Sequence, residues 1–331
     1  MRSHMVVTPL AIGLVLACVR VAVGASTSAT EAHPDLVSPY QPYDLKLNSF
    51  YPAPNRPTGV LLRVSINGGR PLRMLLDSGA EFLVIGARTA RPLGLSSGSE
   101  MDLVGLGTRP AKVGLAESVD VGPVSFRNCW VALVEGQVVD GADGVIPLSL
   151  FSGFLLRLDL PEKMLRLIPY APEENPADPP TRGLTKHDVL LVATVLNRER
   201  NGYVVVDTGA FCSAISREVA RTLSGSQIAP EVRLAAGTGA AIGQRISSAA
   251  HFAITGQDIV PDEIVALDLS NLSRHYGVDV IGVLGFPALA SYALTIDYRN
   301  GRVKIDPPQS VSARELNRGR NAKPPTPLAF R

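Results

Sequence analysis

Two short runs in this chain each place an aspartate where it could act on a proton. One is Met74-Leu-Leu-Asp77-Ser78-Gly79-Ala80. The other is Val204-Val-Val-Asp207-Thr208-Gly209-Ala210, its aspartate 130 positions after the first. The apolar residues read as a strand. Gly supplies the backbone angles of a tight turn, and the Ser or Thr hydroxyl can bond back into that turn. One Asp-Thr-Gly is an ordinary turn. Two of them at matching points of a repeat would be brought together by a local two-fold. Carboxylates in contact do not both ionise easily, so they share one proton. The ionised member can take a proton from a water lying between them, while the protonated member hydrogen-bonds to a substrate carbonyl. One site then holds a general base and a general acid, with no metal and no covalent intermediate.

Such a meeting needs two like halves, and the sequence contains them. Gly59-Val-Leu-Leu-Arg-Val-Ser-Ile66 and Asp188-Val-Leu-Leu-Val-Ala-Thr-Val-Leu196 are β-rich runs before the two aspartates. Asp143-Gly144-Val-Ile-Pro147 and Ile281-Gly282-Val-Leu-Gly285 follow them. Each half then closes on a strand pair, Leu156 to Ile168 and Leu294 to Ile305, with late aspartates Asp159 and Asp297 in register. Asn300-Gly301 reads as a two-residue hairpin turn, and Pro161-Glu-Lys163 as a looser one. Many short apolar runs between Gly, Pro, Asn and Asp point to an all-β architecture. A duplicated domain accounts for the repeated order.

These motifs resemble the active-site signature of aspartic proteases. Ala80 and Ala210 make them similar to the retropepsin-like branch, since pepsin-type enzymes usually carry Ser or Thr there. Val283-Leu284-Gly285 also fits the apolar-apolar-Gly element of the family. The resemblance implies two homologous retropepsin-like β-barrel lobes forming a pepsin-like bilobal pseudo-dimer, with Asp77 and Asp207 catalytic. Ser78 and Thr208 would interlock the two turns, supported by Gly79, Ala80, Gly209 and Ala210. A hairpin flap should follow each aspartate, with Gly105-Leu106-Gly107 and Gly237-Thr238-Gly239 as tip candidates. Pro147 departs from the family's Gly and suggests an altered strand behind the first turn. Neither flap candidate carries a Tyr. Ala80 and Ala210 cannot donate a hydrogen bond to the carboxylates, so the active range should be mildly acidic to near neutral.

The chain has 331 residues, is 46% apolar and carries a formal net charge of +2, which gives no reason to expect a nucleic-acid partner. Residues 1–25 read as a signal peptide: Arg2 and His4, an apolar run from Met5 to Ala17, then the small residues Val23-Gly24-Ala25 before Ser26. The expected destination is the periplasm or the outside medium. An uncleaved anchor, or lipidation at Cys18, is the alternative. No later run is long and apolar enough to span a membrane. Residues 26–57 read as a polar, Pro-rich linker, 58–170 as the N-terminal lobe, and 184–306 as the C-terminal lobe. Tyr170 to Lys186 divides the lobes, and 307–331 reads as a disordered tail rich in Pro, Arg and Asn. Cys129 and Cys212 read as small buried hydrophobes, with a bridge as the alternative. No Cys/His cluster has metal-ligand spacing, so neither metal nor cofactor is expected.

Two other motifs are set aside. Gly94-Leu-Ser96-Ser-Gly98 has the spacing of a serine-hydrolase elbow but sits in a polar loop from Leu93 to Ser99, without the strand-to-helix setting. Gly237 to Gly243 is one residue off a dinucleotide fingerprint and lacks a βαβ unit. The expected activity is therefore that of an aspartic endopeptidase acting on a peptide or protein as a monomer. The rival readings are an exported peptide-binding module with little turnover and a dimer of chains.

Overall fold

The structure, a computed structural model, describes residues 13–14, 18–20, 34–52, 56–95, 97–170, 183–186, 189–223, 228–247 and 249–307. Each half is a β-sheet that curls on itself. In the N-terminal half the strands run Cys18–Arg20, Ser97–Val104, Thr108–Val121, Val124–Val134, Leu83–Gly86, Gly144–Pro147, Leu72–Asp77, Gly59–Ile66 and Asn48–Phe50 in spatial order. Thr108–Val121 is long enough to reach back to Gly59–Ile66, pairing Val119 with Ile66, and this closes the barrel. The C-terminal half repeats the order with one break. Gly239–Ile246 and Phe252–Ile254 together occupy the place of that long strand, and Leu196 pairs with Phe252 as Ile66 pairs with Val119. Strand patterns in which the apolar residues point inward fill both barrels, and one core cluster runs through both halves.

A third sheet joins the halves. Its order is Arg302–Asp306, Ala293–Asp297, Leu155–Asp159, Met164–Ile168 and Tyr43–Lys46. At its centre Leu156 pairs with Ile296, Arg157 with Thr295 and Leu158 with Leu294. Arg157 and Thr295 are equivalent positions of the repeat, so a local two-fold axis passes through their pair. The Arg157 guanidinium also meets Asp306 at 2.9 Å.

The structure corrects the sequence reading in three places. Residues 26–57 are not all linker: Tyr43–Lys46 and Asn48–Phe50 are strands, and Tyr43, Leu45, Leu47 and Phe50 are buried. The turn at Asn300-Gly301 has four residues, because Asp297 pairs with Arg302. A two-residue turn of that kind needs positive φ at both central residues, and only Gly301 has it. The turn at Pro161 has the same length, with Lys163 at φ 52 in the glycine's place. Ser97 to Ser99 begin a strand rather than continuing a loop, while Ser96 lies outside the described residues. Two described pieces of residues 1–25 also join the sheets. Gly13–Leu14 pairs in parallel with Ala235 and Ala236, and Cys18–Arg20 pairs antiparallel with Val104 to Asp102. The reading of 308–331 as a tail, and most of the divider from 171 to 182, lie outside the described residues.

Candidate active site

Each aspartate ends a strand held on both sides. Leu72–Asp77 lies between Gly59–Ile66 and Gly144–Pro147, and Arg200–Asp207 between Val189–Leu196 and Val280–Gly285. Pro147 pairs beside Asp77 as Gly285 pairs beside Asp207. The altered strand expected from Pro147 is thus confined to one bond. Gly285 donates its N–H to Ser213 Oγ at 3.1 Å, and proline has no N–H to offer. Gly285 itself is required, since a Cβ there would lie 2.3 Å from the Cys212 carbonyl oxygen.

The two turns interlock across the axis. Thr208 Oγ1 donates to the Leu76 carbonyl at 2.8 Å and accepts from Ser78 N–H at 3.1 Å. Ser78 Oγ donates to the Val206 carbonyl at 2.7 Å and accepts from Thr208 N–H at 3.0 Å. Both hydroxyls are buried. Thr208→Val keeps the shape but leaves the Ser78 N–H and the Leu76 carbonyl unpaired, so it should cost about 2–3 kcal/mol in denaturant unfolding. Thr208→Ser, which keeps the hydroxyl, should cost much less.

This grip brings the carboxylates together. Asp77 and Asp207 are fully buried. Asp77 Oδ1 accepts from Gly79 N–H at 2.7 Å, and Asp207 Oδ1 accepts from Gly209 N–H at 2.8 Å. A Cβ on Gly79 would lie 2.7 Å from Asp207 Cγ, and one on Gly209 would lie 2.4 Å from Asp77 Cγ. Glycine is needed at both positions because each turn carries the opposite carboxyl against its backbone. Among the described residues neither Oδ2 has a hydrogen-bond partner. Those two oxygens are left for proton chemistry. Burial raises both acids, Asp207 to about 7, and the neighbouring Asp207 charge raises Asp77 further. The pair therefore shares one proton. Ala80 and Ala210 are buried beside the pair, and the Ala210 carbonyl accepts from Phe286 N–H at 2.8 Å.

Gly105 to Gly107 is the tip of the hairpin joining Ser97–Val104 to Thr108–Val121. Gly237 and Thr238 are the tip joining Ile228–Ala236 to Gly239–Ile246. The tips meet: a Cβ on Gly107 would lie 2.9 Å from the Thr238 carbonyl oxygen and 3.7 Å from Gly239 Cα. Equivalent positions thus touch at three levels of one axis, at Arg157 and Thr295, at Ser78 and Thr208, and at Gly107 and Gly239.

The repeat breaks just beside the dyad. Glu81 follows Ala80, whereas Phe211 follows Ala210. Both reach into the opposite half. Glu81 meets His275 of the helix Ser270–Tyr276 at 3.2 Å, with both side chains almost enclosed. Phe211 packs on Phe50 with ring centroids 5.6 Å apart. The sequence reading missed these contacts, although the mismatch of 81 with 211 in an otherwise matching motif marks the place. Cys129 and Cys212 are buried free thiols, each raised to about 12 chiefly by burial.

Comparison with known proteins accords with this geometry. Residues 62–147, which include Asp77 and Pro147, match the aspartyl protease family. No curated protein matches the sequence. Among solved structures the chain is similar to the crystal structure of aspartic proteinase from Irpex lacteus, with a TM-score of 0.52. The two are 11% identical over 82% of this chain and 99% of that one, so the likeness is one of fold. The chain has the bilobal fold of a pepsin-like aspartic proteinase, and the part of its N-terminal lobe that carries Asp77 matches the aspartyl protease family.

Proposed function

We propose that this protein is an aspartic endopeptidase with one intramolecular active site per chain. The observation that carries this reading is the buried pair Asp77 and Asp207, their Oδ1 oxygens fixed by Gly79 and Gly209 and their Oδ2 oxygens unpartnered among the described residues. Asp207 in its ionised form takes a proton from a water that attacks the scissile carbonyl carbon. Asp77 gives its proton to the carbonyl oxygen. In the tetrahedral adduct, Asp207 passes its proton to the amide nitrogen, and Asp77 recovers one from a hydroxyl as the C–N bond breaks. Each carboxyl ends where it began. Because every contact along the axis is within one chain, activity per chain should not fall on dilution.

The N-terminal pairings support an extended peptide as the ligand. A single strand that crosses a two-fold axis must run parallel to one equivalent strand and antiparallel to the other. Two described pieces follow that pattern, Gly13–Leu14 parallel to Ile228–Ala236 and Cys18–Arg20 antiparallel to Ser97–Val104. A substrate strand could add to the same flap edges. If residues 1–25 are a signal peptide that is cut on export, cutting also frees those edges. A chain beginning at Ser26 should then show a KM about tenfold lower than the chain that retains the leader, measured on the same peptide. Equal KM values would exclude competition by the leader.

The overall test is digestion of a peptide library, with and without a transition-state-mimicking inhibitor of aspartic proteases. Inhibitor-sensitive cleavage, indifferent to chelators and serine-directed reagents, is expected. Tight peptide binding without cleavage would favour the binding-module reading instead.

A further inference from the structure

The two flaps are held by unequal means. Arg109 lies two residues past the first tip and is half-buried. Its Nη1 donates to the Gly237 carbonyl of the opposite tip at 2.9 Å and to the Gln137 carbonyl at 3.2 Å. Its Nη2 donates to the carbonyls of Glu135 and Gln137. The turn at Gly136, with φ 78, presents those two carbonyls to the guanidinium. One side chain therefore ties its own flap to a turn of its own lobe and to the flap of the other lobe. Equivalence of Gly107 with Gly239 puts Ala241 in the corresponding place of the second flap. Ala241 offers no such fork, and that flap is held to its own lobe by Arg217, whose Nη2 donates to the Ile242 carbonyl at 3.1 Å. The tips also touch at Gly107 and Gly239, where Gly107 N–H makes a long approach to Thr238 Oγ1 at 3.5 Å.

We infer that Arg109 is a positioning residue that latches the second flap closed over the dyad. A planar fork with five N–H donors can serve three carbonyls from separate segments at once. A lysine ammonium is a compact charge on a flexible stem and cannot reproduce that fork. A closed roof keeps water from the substrate and holds it extended, so opening should reach the kinetics through substrate retention.

The test is hydrogen exchange on the resting protein, with Arg109→Ala and Arg109→Lys beside the native chain. Amides of Thr238 and Gly239 should exchange about tenfold faster in both variants, with the strand Leu72–Asp77 unchanged. A role confined to bracing its own lobe would speed exchange at residues 135–137 but leave 238 and 239 as they are, and that result would overturn the latch. The Lys variant keeps the inference testable should the Ala variant fold poorly. The kinetic arm rests on the peptidase reading: KM should rise about tenfold with kcat changed less than threefold. Because exchange is read without turnover, a failure of the latch and a failure of the peptidase reading remain distinct.

Discussion

Raising the pH from about 4 to about 7 should weaken this protein by roughly 4 kcal/mol through the dyad alone. Asp77 and Asp207 are both raised, chiefly by burial. A raised carboxyl favours the folded state while it stays protonated. Its contribution is complete below about pH 4, where the unfolded chain's aspartates are protonated too, and it is lost as pH rises toward the folded values. In that window the unfolded chain has released a proton that the folded pair still shares. Each retained proton is worth about 1.4 kcal/mol per pH unit, and one shared proton held across a window of about three units gives the total. Asp143, Asp268 and Asp306 are lowered instead, so their titration is finished at the acid edge of this window. The measurement is the free energy of unfolding in urea at a series of pH values. The native chain should lose stability across the window, whereas the double variant Asp77→Asn plus Asp207→Asn should be nearly flat. Single Asn variants should fall between, because the remaining carboxyl is still buried. Parallel curves for the native and double-variant chains would mean that the dyad is not protonated in the folded state.

The dyad could be read from the sequence because duplication wrote it twice. The apolar strand, the turn glycine and the hydroxyl recur at a constant spacing, and the physical reason for each can be stated from one copy. The closed halves were legible at the same level, as strands and order. What escaped was local. Tyr43 to Leu47 alternates apolar and polar residues as a half-buried strand should, but it is short and flanked by prolines, which read as linker. Lys163 adopts a left-handed backbone that its sequence does not advertise. The Asn300-Gly301 pair suggested a tighter turn than the paired strands allow. Arg109 left no trace at all, since its partners are backbone carbonyls that any residue provides. Residues written twice by the duplication were found from sequence, whereas Arg109, Glu81 and Phe211, which stand where the repeat breaks, were not.

The most direct test of the account is the hydrolysis of one cleavable peptide by Asp77→Asn and by Asp207→Asn. Asparagine preserves the shape of the side chain and can still accept from the turn glycine, so the fold and the Ser78–Thr208 interlock should survive, as unfolding curves near pH 4 would verify. Chemistry should not survive. Asn at 207 cannot take the proton of the attacking water, and Asn at 77 cannot supply the acid proton to the carbonyl oxygen. Each step depends on the other within one transition state, so the losses should not add. Each single variant is predicted to lower kcat/KM by about 1,000-fold or more, and the double variant by no more than either alone. A folded Asp207→Asn chain that cleaved within tenfold of the native rate would contradict a two-carboxylate site.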